Sequence, residues 1–268
     1  MRHSKQSYNY YAYHSKRSGS LALKKKRSHR GHKKQFVLFI VLLIIVFFIF
    51  NPKDIHAWTQ KTPPIFIKKQ TVCIDPGHGG VDPGATSTDG LISERDINLT
   101  VGLRVRNLLN SQGYQVFMTR TTNTVSMDNY DRYAYCNSHH ATIMVSIHHN
   151  YFTDATVDYS TDLFYKTKDE GLANSIVSAT STELNISNDG IARFDDGVLS
   201  KSTMPAAVSE GFFITNTYEY NLLTQPDSTR LGDEAKGIVN GIDTYLKNPA
   251  KADSSVGSNL QTLDRSGE

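Results

Sequence analysis

Acidic side chains are absent from the first 35 residues of the 268-residue chain, a stretch that carries eleven Lys or Arg. The remainder holds 18 basic residues against 26 acidic ones, a formal charge of −8, so the overall +3 describes neither part. A basic tail of this kind can contact nucleic acid or lipid, and its interleaved Tyr8, Tyr10, Tyr11 and Tyr13 suit that reading. The sequence that follows gives the charge a topogenic role instead, and no nucleic-acid partner is expected. Cysteine is nearly absent too. Cys73 and Cys136 are the only two, and neither belongs to a CxxC pair, which argues against a thiolate metal site. Spacing does not reveal whether they meet in space, and the expectation is two unpaired core residues. No G-x-S-x-G occurs, so a serine hydrolase has no support. The loop PGHGGVDPG lacks the Lys-Ser/Thr ending of a P-loop and the third glycine of a dinucleotide fingerprint.

What the sequence does contain begins with FVLFIVLLIIVFFIF at 36–50, fifteen apolar residues without interruption. As a helix it spans roughly 22 Å, short of the ~30 Å hydrocarbon core. Bilayer thinning and snorkelling by Lys33 and Lys34 offset the shortfall. A soluble core helix of this length would show a polar face, and this one has none. The expectation is a single transmembrane signal anchor. Its basic tail (1–35) lies in the cytoplasm, and the rest of the chain faces outward. Ile55-His56-Ala57 only loosely resembles a signal peptidase site, and an uncleaved anchor is the preferred reading.

Residues 51–69, with Pro52, Pro63, Pro64 and several lysines, read as a stalk. From 71 onward strands and helices alternate. Strands are expected at 71–75, 115–119, 141–147, 162–165 and 205–210. Helices are expected from Ser93 as N-cap to Gly113, and at 128–138, 170–184 and 229–246. This alternation argues for a single α/β domain over 70–247 with a largely parallel central sheet flanked by helices, preceded by the transmembrane helix. Residues 248–268 read as a flexible tail, and no internal repeat is present.

A histidine inside so glycine-rich a loop as DPGHGG raises the question of what the loop curls around. In open α/β sheets, sites form beyond the carboxyl ends of the strands. His78 follows the first strand, His148 and His149 follow the run at 141–147, and Glu210 closes the strand at 205–210. Glu94 adds a carboxylate in the first turn of the capped helix, where it also favours the helix dipole. Two imidazoles and a carboxylate are a common ligand set for catalytic zinc, and a further carboxylate can act as general base. Each residue alone has a bland reading as a surface hydrogen-bonding group or an ion-pair partner. Their convergence at one rim is what points to chemistry. The residues alone do not choose between His148 and His149.

DPGHGG (75–80), SERDINL (93–99), the Thr-Arg pair (119–120), DRYAYCN (131–137), SIHHN (146–150) and MPAAVSEGFFITN (204–216) follow one another in a recognisable order. That order and spacing resemble the zinc-dependent N-acetylmuramoyl-L-alanine amidases of the type-3 family over about residues 70–247. The resemblance implies zinc held by His78, Glu94 and His148, with Glu210 as catalytic acid/base. It also implies a peptidoglycan substrate, cleaved at the amide between N-acetylmuramic acid and the L-alanine of the stem peptide. A zinc peptidase acting on the stem peptide, or a non-catalytic wall-binding or regulatory protein, are the alternatives.

Overall fold

A computed structural model of the chain describes residues 30–50 and 70–248. The expected stalk, nearly all of the basic tail, the possible cleavage site at 55–57 and all but the first residue of the C-terminal tail lie outside the described residues. The chain divides into two units, Met1–Phe66 and Ile67–Glu268. In the first, helix α1 (Arg30–Phe50) contains the whole apolar run. Its side chains from Phe36 to Phe47 are between 40% and 69% exposed, an unbroken apolar surface. Among the described residues, no helix is long and apolar enough to cross a membrane.

In the second unit, strand β1 (Thr71–Pro76) is a run of β-branched and apolar residues buried from Val72 onward. Helix α2 (Glu94–Ser111) starts where the Ser93 side chain accepts from the Asp96 amide. There follow β2 (Gln115–Met118), α3 (Asn129–Ser138), β3 (Ile143–Asn150), β4 (Ser160–Phe164), α4 (Glu170–Leu184) and β5 (Asn188–Arg193). Helix α5 (Gly197–Lys201), β6 (Ala206–Phe213), α6 (Thr217–Leu223) and α7 (Arg230–Lys247) complete the order. The six strands form one sheet in the order β2-β1-β3-β6-β4-β5.

Alternate residues of the central strands face two different helical layers. Val72, Ile74, Val145 and Ala207 pack with Val101, Ile176 and Ile238, which come from α2, α4 and α7. Cys73, Met144, Ala206 and Val208 pack with Cys136 and Leu199 on the opposite side. Both faces are therefore covered, which explains why β1 and β3 read as continuous apolar runs.

Two expectations need correction. The sheet is mixed rather than parallel throughout, because β4 runs antiparallel to β6 while the other four pairings are parallel. Only nine residues lie between β3 and β4. That is fewer than the dozen or more a parallel crossover needs, so the chain reverses direction there. Strand β5 and helices α5 and α6 were not expected at all. The second correction concerns the cysteines. Cys73 and Cys136 are joined in a disulfide with their Cα atoms 5.7 Å apart. Strand alternation points Cys73 toward the layer that contains α3, and α3 presents Cys136 from its buried side.

The bridge spans a sequence separation of 63. A loop of that size restricts the unfolded chain by about 4 kcal/mol in the chain-entropy account. Replacing both cysteines by alanine is expected to lower the unfolding free energy by about 2–4 kcal/mol. Urea unfolding of the oxidised parent and the double variant measures this, and coincident midpoints would rule out a stabilising bridge.

Candidate active site

The loop that follows β1 is fastened by three buried charged groups. Asp75 is fully buried, and its carboxylate accepts from Thr119 Oγ1 at 2.5 Å, Ser146 Oγ at 2.7 Å and Arg132 Nη1 at 2.8 Å. Burial opposes its ionisation, but the Arg132 charge and the hydroxyl donors outweigh that and hold Asp75 below the usual carboxylate range. Arg132 also donates to the carbonyls of Pro76 at 3.0 Å and His78 at 2.8 Å. Arg120 donates to Pro76 O at 2.9 Å, Gly77 O at 2.7 Å and Arg95 O at 2.9 Å. Three successive carbonyls of the loop are thus held by two guanidinium groups.

This clamp supports an unusual backbone. His78 has φ of 60°, the left-handed region that few non-glycine residues occupy. The flanking glycines answer the question the sequence raised. A Cβ at Gly77 would lie 2.2 Å from the His148 ring, and one at Gly84 would lie 2.5 Å from His78 and 2.6 Å from Glu94 Oε2. The backbone is wrapped closely around a group of side chains.

Those side chains are His78, Glu94 and His148. His78 Nε2 lies 2.9 Å from Glu94 Oε2, and His148 Nδ1 lies 2.9 Å from Glu94 Oε1. Asp82 Oδ2 holds the other ring nitrogen of His78 at 2.8 Å. Glu94 also accepts from the amides of Ala85 at 2.9 Å and His149 at 3.2 Å, and from Asn98 Nδ2 at 3.3 Å. Burial disfavours its charge, but the hydrogen bonds and charges of the two histidines dominate and hold its carboxyl far below the usual range. Burial likewise opposes the charged form of His148, yet the Glu94 contact raises it to about 9. One donor atom from each of the three residues lies within 4.8 Å of the other two. Among the described residues, this is the set of histidines and acids so arranged. Two imidazoles and one carboxylate suit a zinc ion with an open coordination position.

Glu210 stands beside them. In the β3–β6 register it is directly opposite His148, so the two side chains share a face of the sheet. Its Oε2 is buried without a hydrogen-bond partner. Burial pushes the Glu210 carboxyl above the ordinary range, with the His148 charge pulling the other way and Glu94 adding to the rise. An acid with one unpartnered buried oxygen and a raised pKa at a cleft is suited to carrying a proton. A cavity of about 290 Å³ opens beside it.

His149 lies elsewhere. Its ring is on the opposite face, with its nitrogens 2.7 Å from Asn98 Oδ1 and 3.0 Å from Glu234 Oε2, edge-on to Phe212. Sequence reasoning missed both of these partners. Asn98 stands one helical turn beyond Glu94 and carried a usable i, i+4 signal. Glu234 on α7 carried none. The Thr-Arg and Asp-Arg motifs were visible, but their role in clamping the loop was not.

Residues 72–244 match a protein family described as N-acetylmuramoyl-L-alanine amidase. The uncharacterized protein YqiI of Bacillus subtilis is 33% identical over 191 residues, covering 67% of this chain and 86% of that one. A probable cell wall amidase, LytH of Staphylococcus epidermidis, is 29% identical over 182 residues. That alignment covers 67% of this chain and 60% of LytH, so the chain spans about three fifths of that relative's length. The crystal structure of an N-acetylmuramoyl-L-alanine amidase from Clostridium difficile superposes with a TM-score of 0.63 at 30% identity, covering 67% of this chain and 97% of that one.

The close approach at Gly77 yields a test that needs no substrate. With zinc as the ion this set would hold, Gly77→Ala is expected to push the His148 ring aside and weaken zinc retention by roughly tenfold or more, within the range seen when a ligand's supporting shell is disturbed. Metal analysis after dialysis against a weak chelator, with circular dichroism as the folding control, measures this. Full zinc retention in a folded variant would show that the contact relaxes harmlessly.

Proposed function

The chain belongs to the N-acetylmuramoyl-L-alanine amidase family, and from that premise we propose a membrane-anchored, zinc-dependent peptidoglycan hydrolase. It cleaves the amide joining the lactyl group of N-acetylmuramic acid to the L-alanine of the stem peptide. The observation that carries this reading is the convergence of His78, Glu94 and His148 beside Glu210, whose Oε2 is buried without a hydrogen-bond partner. Zinc in such a site supplies Lewis acidity and makes water nucleophilic near neutral pH.

The chain's own groups do the rest. Glu94 draws both imidazoles toward one point, and Asp82 fixes the orientation of the His78 ring. Glu210 accepts the proton of the attacking water as the oxygen joins the carbonyl carbon. It then delivers that proton to the alanine nitrogen as the carbon–nitrogen bond breaks. Its raised pKa favours holding the proton between the two transfers. The opposite sheet face, with His149 and Glu234, keeps Glu94 in place from behind through Asn98 and the His149 amide.

Glu210→Gln is expected to retain zinc and fold while losing 10²–10⁴-fold of the hydrolysis, the usual contribution of an acid/base group. Glu94→Gln is expected to lose zinc together with activity, because a neutral amide is a poor ligand. Zinc content and release of stem peptides beginning with L-alanine are measured on both variants. Near-normal turnover of a zinc-replete Glu210→Gln would remove Glu210 from the mechanism. Products cut within the stem peptide instead would identify a peptidase.

The membrane part of the proposal rests on the exposed apolar surface of α1 from Phe36 to Phe47 and on the acid-free basic segment before it. An apolar surface that large, on one continuous helix, calls for a non-aqueous partner. The orientation expected has the basic segment inside and the catalytic domain outside. Protease added to intact, wall-stripped cells should digest the domain and spare the N-terminal segment. Protection of both would reject this topology.

A further inference from the structure

Helix α3 meets β1 along two parallel rungs, one covalent and one ionic. Cys73 and Asp75 stand two residues apart on the strand and so point to the same face. Cys136 and Arg132 stand four residues apart on the helix and share one side of it. Of the ten residues of α3, these two are the buried ones. Cys73 is bonded to Cys136, and Asp75 Oδ1 accepts from Arg132 Nη1 at 2.8 Å. Two residues of strand advance about 6.6 Å and four residues of helix about 6 Å. The spacings match, so both rungs form together with the helix antiparallel to the strand.

The two rungs constrain the helix differently. The ionic one runs through a long side chain, and Arg132 can follow a sliding helix while still reaching Asp75. Its other contacts do not survive such a slide. The same guanidinium donates to the Pro76 carbonyl at 3.0 Å and the His78 carbonyl at 2.8 Å. Those bonds support the left-handed His78 backbone, at φ of 60°, from which the imidazole projects. The covalent rung removes the freedom to slide. A disulfide keeps its two Cα atoms within about 4.4–6.8 Å of each other, and here they are 5.7 Å apart. On its outer side α3 is tied to α5 by exposed polar contacts, from Asn129 to Asp196 at 2.8 Å and from Asn137 to the Lys201 carbonyl at 3.2 Å. Water competes for contacts of that kind.

We infer that the Cys73–Cys136 bridge is a positioning element for the metal centre, fixing α3 so that Arg132 holds the His78 loop in its ligating geometry. The inference rests on the zinc reading above and goes beyond it, because it brings two disulfide-bonded core residues into the construction of the site. The effect is separate from the restriction of the unfolded chain. It depends on where the bridge lies, one helical turn from Arg132, and not on the size of the loop it closes.

The test uses the full-length protein and two bridge-free variants, Cys73→Ala/Cys136→Ala and Cys73→Val/Cys136→Ala, the second refilling part of the lost volume. Leu172→Ala is the control, since Leu172 is fully buried on α4 in the core across the sheet from α3. Zinc affinity is read by competition with a chelator, and loop mobility by amide hydrogen exchange over residues 76–84. Both bridge-free variants are expected to hold zinc about tenfold more weakly, the size of effect seen when a ligand's support is disturbed. Their loop amides are expected to exchange about tenfold faster or more. Leu172→Ala is expected to lower the urea midpoint while keeping zinc affinity within about twofold of the parent, as distant sites do, with loop exchange unchanged. Bridge-free variants that match the parent in both readouts, or a Leu172→Ala protein that loses as much as they do, would overturn the inference. A parent protein that binds no zinc would instead overturn the zinc reading, and the loop exchange, which needs no metal, then decides the role of the bridge alone.

Discussion

The buried pairing of Asp75 with Arg132 is the constraint on which the rest of the site depends. Asp75 ends the apolar part of β1 in a place with no access to water, and its charge is tolerable there only because Arg132, Thr119 and Ser146 surround it. Once fixed, Arg132 donates to three further carbonyls, those of Met127, Pro76 and His78. The strained His78 backbone is thereby held from behind, and the imidazole projects toward Glu94. Removing either partner of a buried pair leaves an uncompensated charge, typically a loss of 3–5 kcal/mol. Here the effect would fall on the loop that presents His78.

The sheet divides labour between its two faces by simple alternation. His148 and Glu210 share one face through direct register, whereas His149, one residue later, turns to the other. The adjacent histidines therefore have unrelated surroundings, one beside a cleft and one sealed against Phe212 and Glu234. The buried side serves the open side, because the carboxamide of Asn98 meets the His149 ring with its oxygen and Glu94 with its nitrogen.

Much of this was legible in the sequence, and the omissions have physical causes. Unbroken apolar runs announced β1 and β3, and a capping serine with a periodic apolar stripe announced α2. Strand β5 reads NDGIAR, polar and glycine-bearing, because it lies at the sheet edge and half of it is exposed. Helices α5 and α6 are five and seven residues long, too short for a periodic pattern to develop. The direction of β4 was a matter of connection length, which a propensity reading does not weigh. The rim positions of His78, Glu94, His148 and Glu210 followed from where strands end and a helix begins. Glu234 acts through a neighbour distant in sequence, and the cysteine pairing depended on how α3 docks. Neither carries a local signal, whereas Asn98, four residues after Glu94, did.

The Cys73–Cys136 bridge closes a covalent ring, and its contents matter for the order in which the protein is assembled. His78, Glu94, Arg120 and Arg132 all lie inside the ring, and His148 follows it closely in the chain. Glu210 and the strands that border the cavity beside it, β4 and β5, come later. A polypeptide emerging N-terminus first presents His78, Glu94 and His148, and the clamp that shapes their loop, before Glu210 has been made. The strand carrying Glu210 is the last of the six in the chain and lies between β3 and β4, so the sheet is continuous only once that final strand is in place.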